Sequence, residues 1–133
     1  MKEIIDFLNK NKFGNLATCD GSKPDARPFE VAYICEEGFF FYASSDTALS
    51  KQLKANPNIC FCATDEKYNY VKVTGTIAFS NKQQDKEKVL ENSHFAKKVF
   101  EAKGKDKMEV FYLQHGECML HQHGDGSIIQ KSF

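Results

Sequence analysis

The chain has 133 residues, of which 41% are hydrophobic and 27% are charged, and its 18 basic side chains balance 18 acidic ones. These values fit one globular domain over residues 1–133, and roughly two thirds of the surface of such a chain can be buried on folding. The balanced charge excludes a general basic field for nucleic acid or anionic membranes. No apolar run approaches the ~20 residues of a membrane span. We therefore expect neither nucleic acid nor membrane as a partner.

Two features indicate the cellular compartment. The first residues, Met1-Lys2-Glu3 and then Ile4-Ile5-Asp6-Phe7, are too short and too acidic an apolar stretch for a signal peptide. The five cysteines are odd in number and scattered through apolar segments, which suits free buried thiols in a reducing compartment. The sequence therefore predicts a cytoplasmic protein. The cysteines are Cys19, Cys35, Cys60, Cys62 and Cys118.

The first part of the chain predicts one helix and a meander of strands. Ile4, Ile5 and Leu8 recur at helical spacing and predict a short amphipathic helix over 2–11. From Asn15 the pattern changes to β-rich runs separated by turn pairs such as Asp20-Gly21. The predicted strands cover residues 15–19, 24–35 and 39–43.

The middle of the chain predicts a helix between strands. Ser44-Ser45-Asp46 offers helix caps, and Leu49 with Leu53 supplies a buried stripe for a helix ending near residue 55. Asn56-Pro57-Asn58 stops this helix. Strands are predicted over 59–64 and 68–80, with Gly75 marking a bend or bulge.

The last third returns to β-structure after a charged helical segment. Residues 82–103 predict one or two surface helices that end at Gly104. Strands follow over 108–113, 117–121 and 127–129. The sum is a mainly β fold of six or seven antiparallel strands, with helices capping the openings of a small barrel.

The stretch Arg27-Pro28-Phe29 is the first candidate for binding chemistry. Pro28 cannot donate to a strand ladder, so this part of the strand should lie at an edge or bulge beside a crevice. Arg27 then places a guanidinium group on a rigid element, where it suits a phosphate. The plainer interpretation is a solvated strand arginine.

The turn before the second helix is the other candidate. A strand delivers Ser44, Ser45 and Thr47 to a helix start, where free backbone N–H groups and hydroxyls bind anions. Lys51 follows Thr47 by four residues and lies on the same helix face. This arrangement describes a phosphate cradle, and the alternative is an ordinary capped helix with a surface lysine.

Other polar groups favour structural roles. Cys60-Phe61-Cys62 and His121-Gln122-His123 would make a zinc site if they met. Their spacing is not that of zinc knuckles, and strand alternation explains the two cysteines as small core residues. We expect no metal, and the role of the histidine pair stays open. The side chains available as proton donors are more typical of packing or surface positions, so no catalytic residue is assigned. They are Tyr33, Tyr68, Tyr70 and His94.

The order of several short blocks resembles the pyridoxamine 5'-phosphate oxidase-like, FMN-binding split-barrel family. The resemblance covers roughly residues 1–120, and the succession of the blocks is more specific than any one of them. The blocks are Asn15-Leu16-Ala17-Thr18, Asp20-Gly21, Arg27-Pro28-Phe29, residues 38–45, residues 51–57 and Val71-Lys72-Val73-Thr74-Gly75.

The resemblance implies a homodimer of split β-barrels that holds FMN at the subunit interface. It places flavin and phosphate against Arg27, Pro28, Phe29 and Glu30. The isoalloxazine and ribityl groups would pass beside Tyr42, Ala43, Ser44 and Ser45, Thr47 and Lys51 would face the phosphate, and Tyr70 and Val71 would close the pocket.

The chain departs from the family at the helix start. Many relatives carry one or two basic residues there, where this chain has Thr47, Ala48 and Leu49. The departure implies weaker phosphate binding or a phosphate held by Arg27 with Lys51. The pyridoxal-specific C-terminal section is also missing, so we do not expect that reaction.

Two functions follow from the resemblance. The first is an FMN-dependent oxidoreductase that moves electrons from a donor such as NAD(P)H to a small-molecule substrate. The second is a non-catalytic flavin- or haem-binding module for storage or sensing. The sequence identifies neither the substrate nor the electron donor.

Overall fold

The computed structural model describes residues 1–133, and ten strands in two antiparallel sheets form its framework. The strands are β1 (Phe13–Asp20), β2 (Lys23–Glu30), β3 (Tyr33–Cys35), β4 (Gly38–Ser44), β5 (Asn58–Thr64), β6 (Tyr70–Thr76), β7 (Ala78–Ser80), β8 (Met108–Leu113), β9 (Gly116–His121) and β10 (Ile128–Ser132). The helices are α1 (Lys2–Lys10), α2 (Ala48–Ala55), α3 (Gln83–Asn92) and α4 (His94–Lys103), and one 3-10 turn spans Lys105–Lys107.

The two sheets enclose the main core. The larger sheet has the strand order β10-β9-β6-β5-β1-β2, and the smaller sheet has the order β3-β4-β8-β7. Phe61 from the larger sheet meets Phe41 and Phe111 from the smaller one, and Ile4 and Leu8 of α1 belong to the same core. The mainly β fold with flanking helices, predicted from the sequence, is confirmed.

A second apolar cluster covers the other face of the smaller sheet. Phe40 and Tyr42 of β4 pack there against Val89 of α3 and Phe100 of α4. All seven residues of β4 are buried as a result. The two helices therefore fix β4 from outside while the barrel core fixes it from inside.

The ten strands exceed the six or seven predicted, and two of the additional strands arise because two long runs change sheets. The run 24–35 breaks after β2, where the Val31 N–H bonds to the Lys12 carbonyl and the Ala32 N–H bonds to the Phe40 carbonyl. The run 68–80 breaks at Ile77, whose N–H bonds to the Pro57 carbonyl at 2.8 Å. The sequence of a long hydrophobic run does not indicate the residue at which its backbone hydrogen bonds pass from one sheet to the other.

Gly75 lies inside β6, and the strand pairing continues through it without a bulge. A Cβ atom there would lie 2.8 Å from the His115 carbonyl oxygen and 2.9 Å from Leu113 Cδ2. Its role is therefore to allow close packing of neighbouring chain segments.

The helices follow the predictions closely, except at one cap. The Thr47 hydroxyl, not Ser44, Ser45 or Asp46, accepts the Ser50 N–H at the start of α2. The charged segment forms two helices, because Ser93 ends α3 and caps α4, and Gly104 ends α4 with φ at +102°. No helix is both long and apolar enough to cross a membrane.

The prediction of buried thiols is wrong for four of the five cysteines. Cys118 is buried, while Cys19, Cys35, Cys60 and Cys62 are only half-buried. Phe61 takes the core position on β5, so strand alternation turns its neighbours Cys60 and Cys62 to the outer face.

The packing of Phe41 generates a stability prediction. Its fully buried ring lies 5.3 Å from Phe61 and 5.5 Å from Phe111, centroid to centroid. We expect Phe41→Ala to lower the free energy of unfolding by about 3–5 kcal/mol through lost contacts and a cavity. Urea denaturation measures this, with Ile128→Ala at an exposed β10 position as the control, for which we expect a change of about 0.5 kcal/mol or less. Equal losses in the two variants would contradict a core built around Phe41.

Candidate functional site

A cavity of about 660 Å³ lies along the edge of β2. This strand is the last in the larger sheet, so one of its edges has no strand partner. The other walls come from the end of β4, the start of α2, Phe13 of β1 and Phe95 of α4. The volume is typical of small-molecule sites, which span roughly 300–1,000 Å³. The edge position predicted from Pro28 is therefore correct, and it leaves backbone hydrogen-bonding groups of β2 beside the cavity.

Arg27 is held in place from several sides. Its Nη1 donates to Thr18 Oγ1 at 2.8 Å and to the Leu16 carbonyl at 3.2 Å. Its Nη2 donates to Asp25 Oδ2 at 2.9 Å and to Gln52 Oε1 at 3.1 Å. The guanidinium is thus fixed on the cavity wall.

Asp25 reduces the net positive charge at this point. A hydrogen bond from Gln52 and the positive charge of Arg27 hold the pKa of this exposed carboxyl below its usual value. Asp25 therefore stays ionised beside the only cationic side chain that lines the cavity. Asp25 and Arg27 are two residues apart on β2 and therefore share a face, which was the sequence signal for this pair. No sequence pattern indicated that Thr18 and Gln52 would contact Arg27.

A buried carboxyl group forms another part of the wall. Glu30 and Tyr42 are each 7% exposed and Ser93 is 1% exposed. The Tyr42 hydroxyl donates to Glu30 Oε1 at 2.8 Å, and the Ser93 hydroxyl donates to the same oxygen. Burial, reinforced by the Glu30 carboxylate, raises the pKa of the Tyr42 phenol far above its ordinary value, so Tyr42 keeps its proton.

The start of α2 contributes hydroxyls and apolar groups but no cation. Ser44, Thr47, Ala48 and Leu49 line the cavity, and the first turn of α2 has neither acidic nor basic side chains. The Thr47 hydroxyl donates to the Ser44 carbonyl at 2.7 Å, and the Ser44 hydroxyl donates to Asp46. Hydrogen bonding to Lys103 and then to Ser44 lowers the pKa of Asp46 to about 2. An anion would meet free N–H groups here, with a carboxylate close by.

Eight of the twelve residues predicted for the cofactor line this cavity: Arg27, Pro28, Phe29, Glu30, Tyr42, Ala43, Ser44 and Thr47. The other four lie elsewhere in the protomer. Lys51 lines a separate cleft of about 320 Å³ with Cys19 and Asp20. Ser45 donates its N–H to the Lys107 carbonyl at 2.8 Å.

Tyr70 and Val71 occupy opposite faces of β6. Val71 is fully buried in the barrel core. Tyr70 lies on the outer face, where its ring stacks on His121 at 5.0 Å between centroids. Neither side chain lines the cavity of its own protomer, and their predicted contact with the cofactor stays a prediction.

Sequence reasoning missed the two aromatic rings at the cavity mouth. Phe13 is 60% exposed and Phe95 is 57% exposed, and their rings meet edge to face at 6.4 Å between centroids. Phe95 is a large apolar residue outside the buried stripe of α4, and this position was the sequence signal that its ring is exposed.

The possible metal ligands do not assemble. β6 lies between the strands that carry Cys60–Cys62 and His121, and Lys72 and Tyr70 project from it. No group of three or more His, Cys, Asp or Glu side chains has metal-binding geometry.

Solved structures share this fold over most or all of the chain. A NimC/NimA family protein from Clostridium acetobutylicum superposes with a TM-score of 0.83 at 24% identity, covering 100% of this chain and 92% of its own. A heme binding protein from Mycobacterium smegmatis gives 0.80 at 13% identity, covering 98% of this chain and 56% of its own. An FAD-binding protein from Mesorhizobium loti gives 0.64 at 16% identity, covering 85% and 87%.

A search of curated protein sequences finds no significant match to the chain. A protein-family comparison does: the model described as pyridoxamine 5'-phosphate oxidase matches residues 1–119, which is most of the sequence. This match agrees with the succession of blocks from Asn15 to Gly75 and with the barrel that they form. The chain therefore belongs to the pyridoxamine 5'-phosphate oxidase family.

Proposed function

We propose that this protein binds FMN in the cavity along β2 and acts as an oxidoreductase on a small molecule. The observation that carries the proposal is the cavity itself, which combines a free strand edge, apolar walls and one fixed guanidinium. The family match and an FAD-binding protein of the same fold support a flavin as the ligand.

The cavity fits the ring system of a flavin well. A flat heteroaromatic ring needs apolar surface on its faces and hydrogen-bonding groups along its edge. Phe29, Ala43 and Leu49 supply apolar surface, and the unpaired edge of β2 supplies backbone groups. When bound, FMN would supply the two-electron redox chemistry, and the chain would orient it and shield it from water.

The fit to the phosphate is adequate but weaker. Arg27 offers its positive charge and its Nε–H, because its four Nη N–H groups are engaged within the chain, and α2 offers the N–H groups of its first turn. Asp25 and Asp46 place two carboxylates nearby, and no lysine or arginine stands in that turn. We therefore expect the ring to provide more of the binding energy than the phosphate does.

A homodimer would complete the site. Around the exposed Lys72, the outer face of the larger sheet carries small or apolar, half-buried side chains, among them Ala17, Cys60, Cys62 and Met119. Tyr70 lies on the same face and can meet a cofactor only across an interface between two copies. The proposed dimer thus accounts for the predicted role of Tyr70.

Haem storage is the weaker alternative. A heme binding protein shares the fold, but none of the fourteen residues that line the cavity is His, Cys or Met. Tyr42, the remaining candidate for iron ligation, has its hydroxyl engaged by Glu30. A flavin needs no such ligand and therefore suits the cavity better.

We also place the protein in the cytoplasm. All five cysteines are free thiols, four of them with partial exposure, which suits a reducing compartment.

The phosphate contact is tested with two ligands. We expect Arg27→Ala to weaken FMN binding about 10- to 100-fold, because charged hydrogen bonds contribute roughly 1.5–3 kcal/mol. Riboflavin, which lacks the phosphate, should lose less than about threefold. Flavin fluorescence titration measures both. Lys51→Ala is the comparison: a selective loss of FMN in that variant, with none in Arg27→Ala, would move the phosphate to the second cleft.

Turnover separates the oxidoreductase from the binding module. We expect the purified protein with FMN to show flavin absorption bands that NADH or NADPH bleaches anaerobically, faster than either reduces free FMN. The bands should return when an electron acceptor is added. Tight flavin binding without accelerated reduction by either nicotinamide would favour storage or sensing.

The dimer is tested by mass in solution. We expect light scattering to give twice the 15.1 kDa of the chain. Ala17→Arg places a charge on the outer face of β1 and should yield monomers that also lose flavin. Glu101→Arg, at an exposed position of α4, should remain dimeric and bind flavin. A monomeric native protein that binds FMN fully would contradict this arrangement.

A further inference from the structure

We propose that the small-molecule substrate of the cavity is an organic cation, a protonated amine held by the Glu30 carboxylate beside two aromatic rings. This inference rests on the proposed function, because it names the class of molecule on which the flavin-loaded protein would act. Glu30 lines the cavity at the end of β2 and is only 7% exposed. A carboxylate that is shielded from bulk water and borders a ligand cavity attracts positive charge strongly.

The Glu30 carboxyl is anchored through one oxygen only. Its Oε1 accepts hydrogen bonds from the hydroxyls of Tyr42 and Ser93. Ser93 also accepts the Ala96 N–H at 2.9 Å as the cap of α4, so the positive end of that helix lies beside the carboxyl. These groups favour the negatively charged form of Glu30. Its Oε2 accepts no hydrogen bond within the chain and is not fully enclosed, so it is the oxygen open to a ligand.

No side chain supplies a counter-ion for this carboxylate. The chain's four ion pairs do not include Glu30. Arg27 directs its Nη groups to other acceptors. Lys12 reaches the same junction, but its ammonium donates to the Ala32 and Asn92 carbonyls. The end of a helix offsets only about half a charge. Because a buried charge without a counter-ion is costly, a cationic ligand would stabilise this site.

Two exposed aromatic rings flank the carboxyl. Phe13 stands directly opposite Glu30 in the register of β1 and β2, so the two side chains share a face of the sheet. Phe95 follows Ser93 by two residues, and its ring meets that of Phe13 edge to face at 6.4 Å between centroids. Both rings are more than half exposed and line the cavity. Aromatic faces attract ammonium groups, and this attraction would add to that of the carboxylate.

The charges of the cavity favour a cationic substrate over an anionic one. Its charged lining residues are Asp25, Arg27 and Glu30, so carboxylates outnumber guanidinium groups. Asp25 pairs with Arg27 at 2.9 Å, which leaves the charge of Glu30 uncompensated. Arg27 is also the group that we propose for the FMN phosphate. No cation of the cavity therefore remains for a phosphorylated or carboxylated substrate.

The test measures the binding of three naphthalene probes that differ in charge. They are 2-naphthylmethylamine, which is a cation at neutral pH, its neutral analogue 2-naphthalenemethanol, and the anion 2-naphthoate. Equilibrium dialysis gives the affinity of each probe for the native protein saturated with FMN. We expect the amine to bind at least about 10-fold more tightly than the alcohol, and the naphthoate to bind most weakly.

Two variants separate the charge from the aromatic rings. Glu30→Gln removes the charge but keeps an oxygen that can accept the hydroxyls of Tyr42 and Ser93. We expect this variant to bind the amine about 10- to 100-fold more weakly and the alcohol within about twofold of the native affinity. Phe13→Leu, at an exposed position, should weaken amine binding about two- to fivefold.

Glu109→Gln is the matched control. Glu109 also accepts a serine hydroxyl, from Ser50, but it pairs with Lys54 and lies outside the cavity. This variant should bind all three probes as the native protein does.

The outcomes distinguish this inference from the proposed function. Equal affinity of the native protein for amine and alcohol, equal weakening of both in Glu30→Gln, or amine binding that is lost on saturation with FMN would overturn the inference while flavin binding stands. A change from dimer to monomer in Glu30→Gln would also overturn it, because a second copy would then supply the counter-ion. A native protein that binds no FMN would instead overturn the proposed function, while Glu30-dependent binding of the amine to the flavin-free chain would still support the cation site.

Discussion

The burial of β4 on both faces is the constraint on which the rest of the structure depends. Phe39 and Phe41 face the barrel core, while Phe40 and Tyr42 face α3 and α4. A strand packed from both sides has little freedom to shift, because its side chains fill two cores at once. The end of β4 is therefore a fixed point, and it delivers Tyr42 to Glu30 and Ser44 to the start of α2.

The cavity exists because the two sheets separate next to this fixed strand. After β2 the chain crosses to the smaller sheet through Val31 and Ala32, and β2 remains an edge of the larger sheet. An unpaired strand edge is a liability in water and a ready partner for a ligand or another chain. Pro28 and the charged Asp25 and Arg27 make this edge a poor partner for another strand. The edge therefore stays available to a ligand that matches these groups.

The features that could be predicted from the sequence are those determined by residues close together along the chain. Local signals predicted the second helix and its end near residue 55, because Leu49, Leu53 and Pro57 act within a few residues. The same blocks gave eight cavity residues on β2, β4 and α2. Ser93 caps α4 and Phe95 lies in its first turn, about sixty residues further along, and no local pattern links them to Glu30. The faces of Cys60 and Cys62 depended on Phe61 taking the core, which alternation alone does not decide.

One serine couples the chemistry of the cavity to its shape. Ser93 hydrogen-bonds to the Glu30 carboxyl and, as the N-cap of α4, fixes the helix whose first turn carries Phe95. A buried carboxyl needs donors to offset its lost hydration, and a helix start needs an acceptor for its N–H groups. A single hydroxyl meets both needs because it donates to one group while it accepts from the other. The position of the Glu30 carboxyl and the position of the Phe95 ring are therefore set together, so a change in one is expected to move the other.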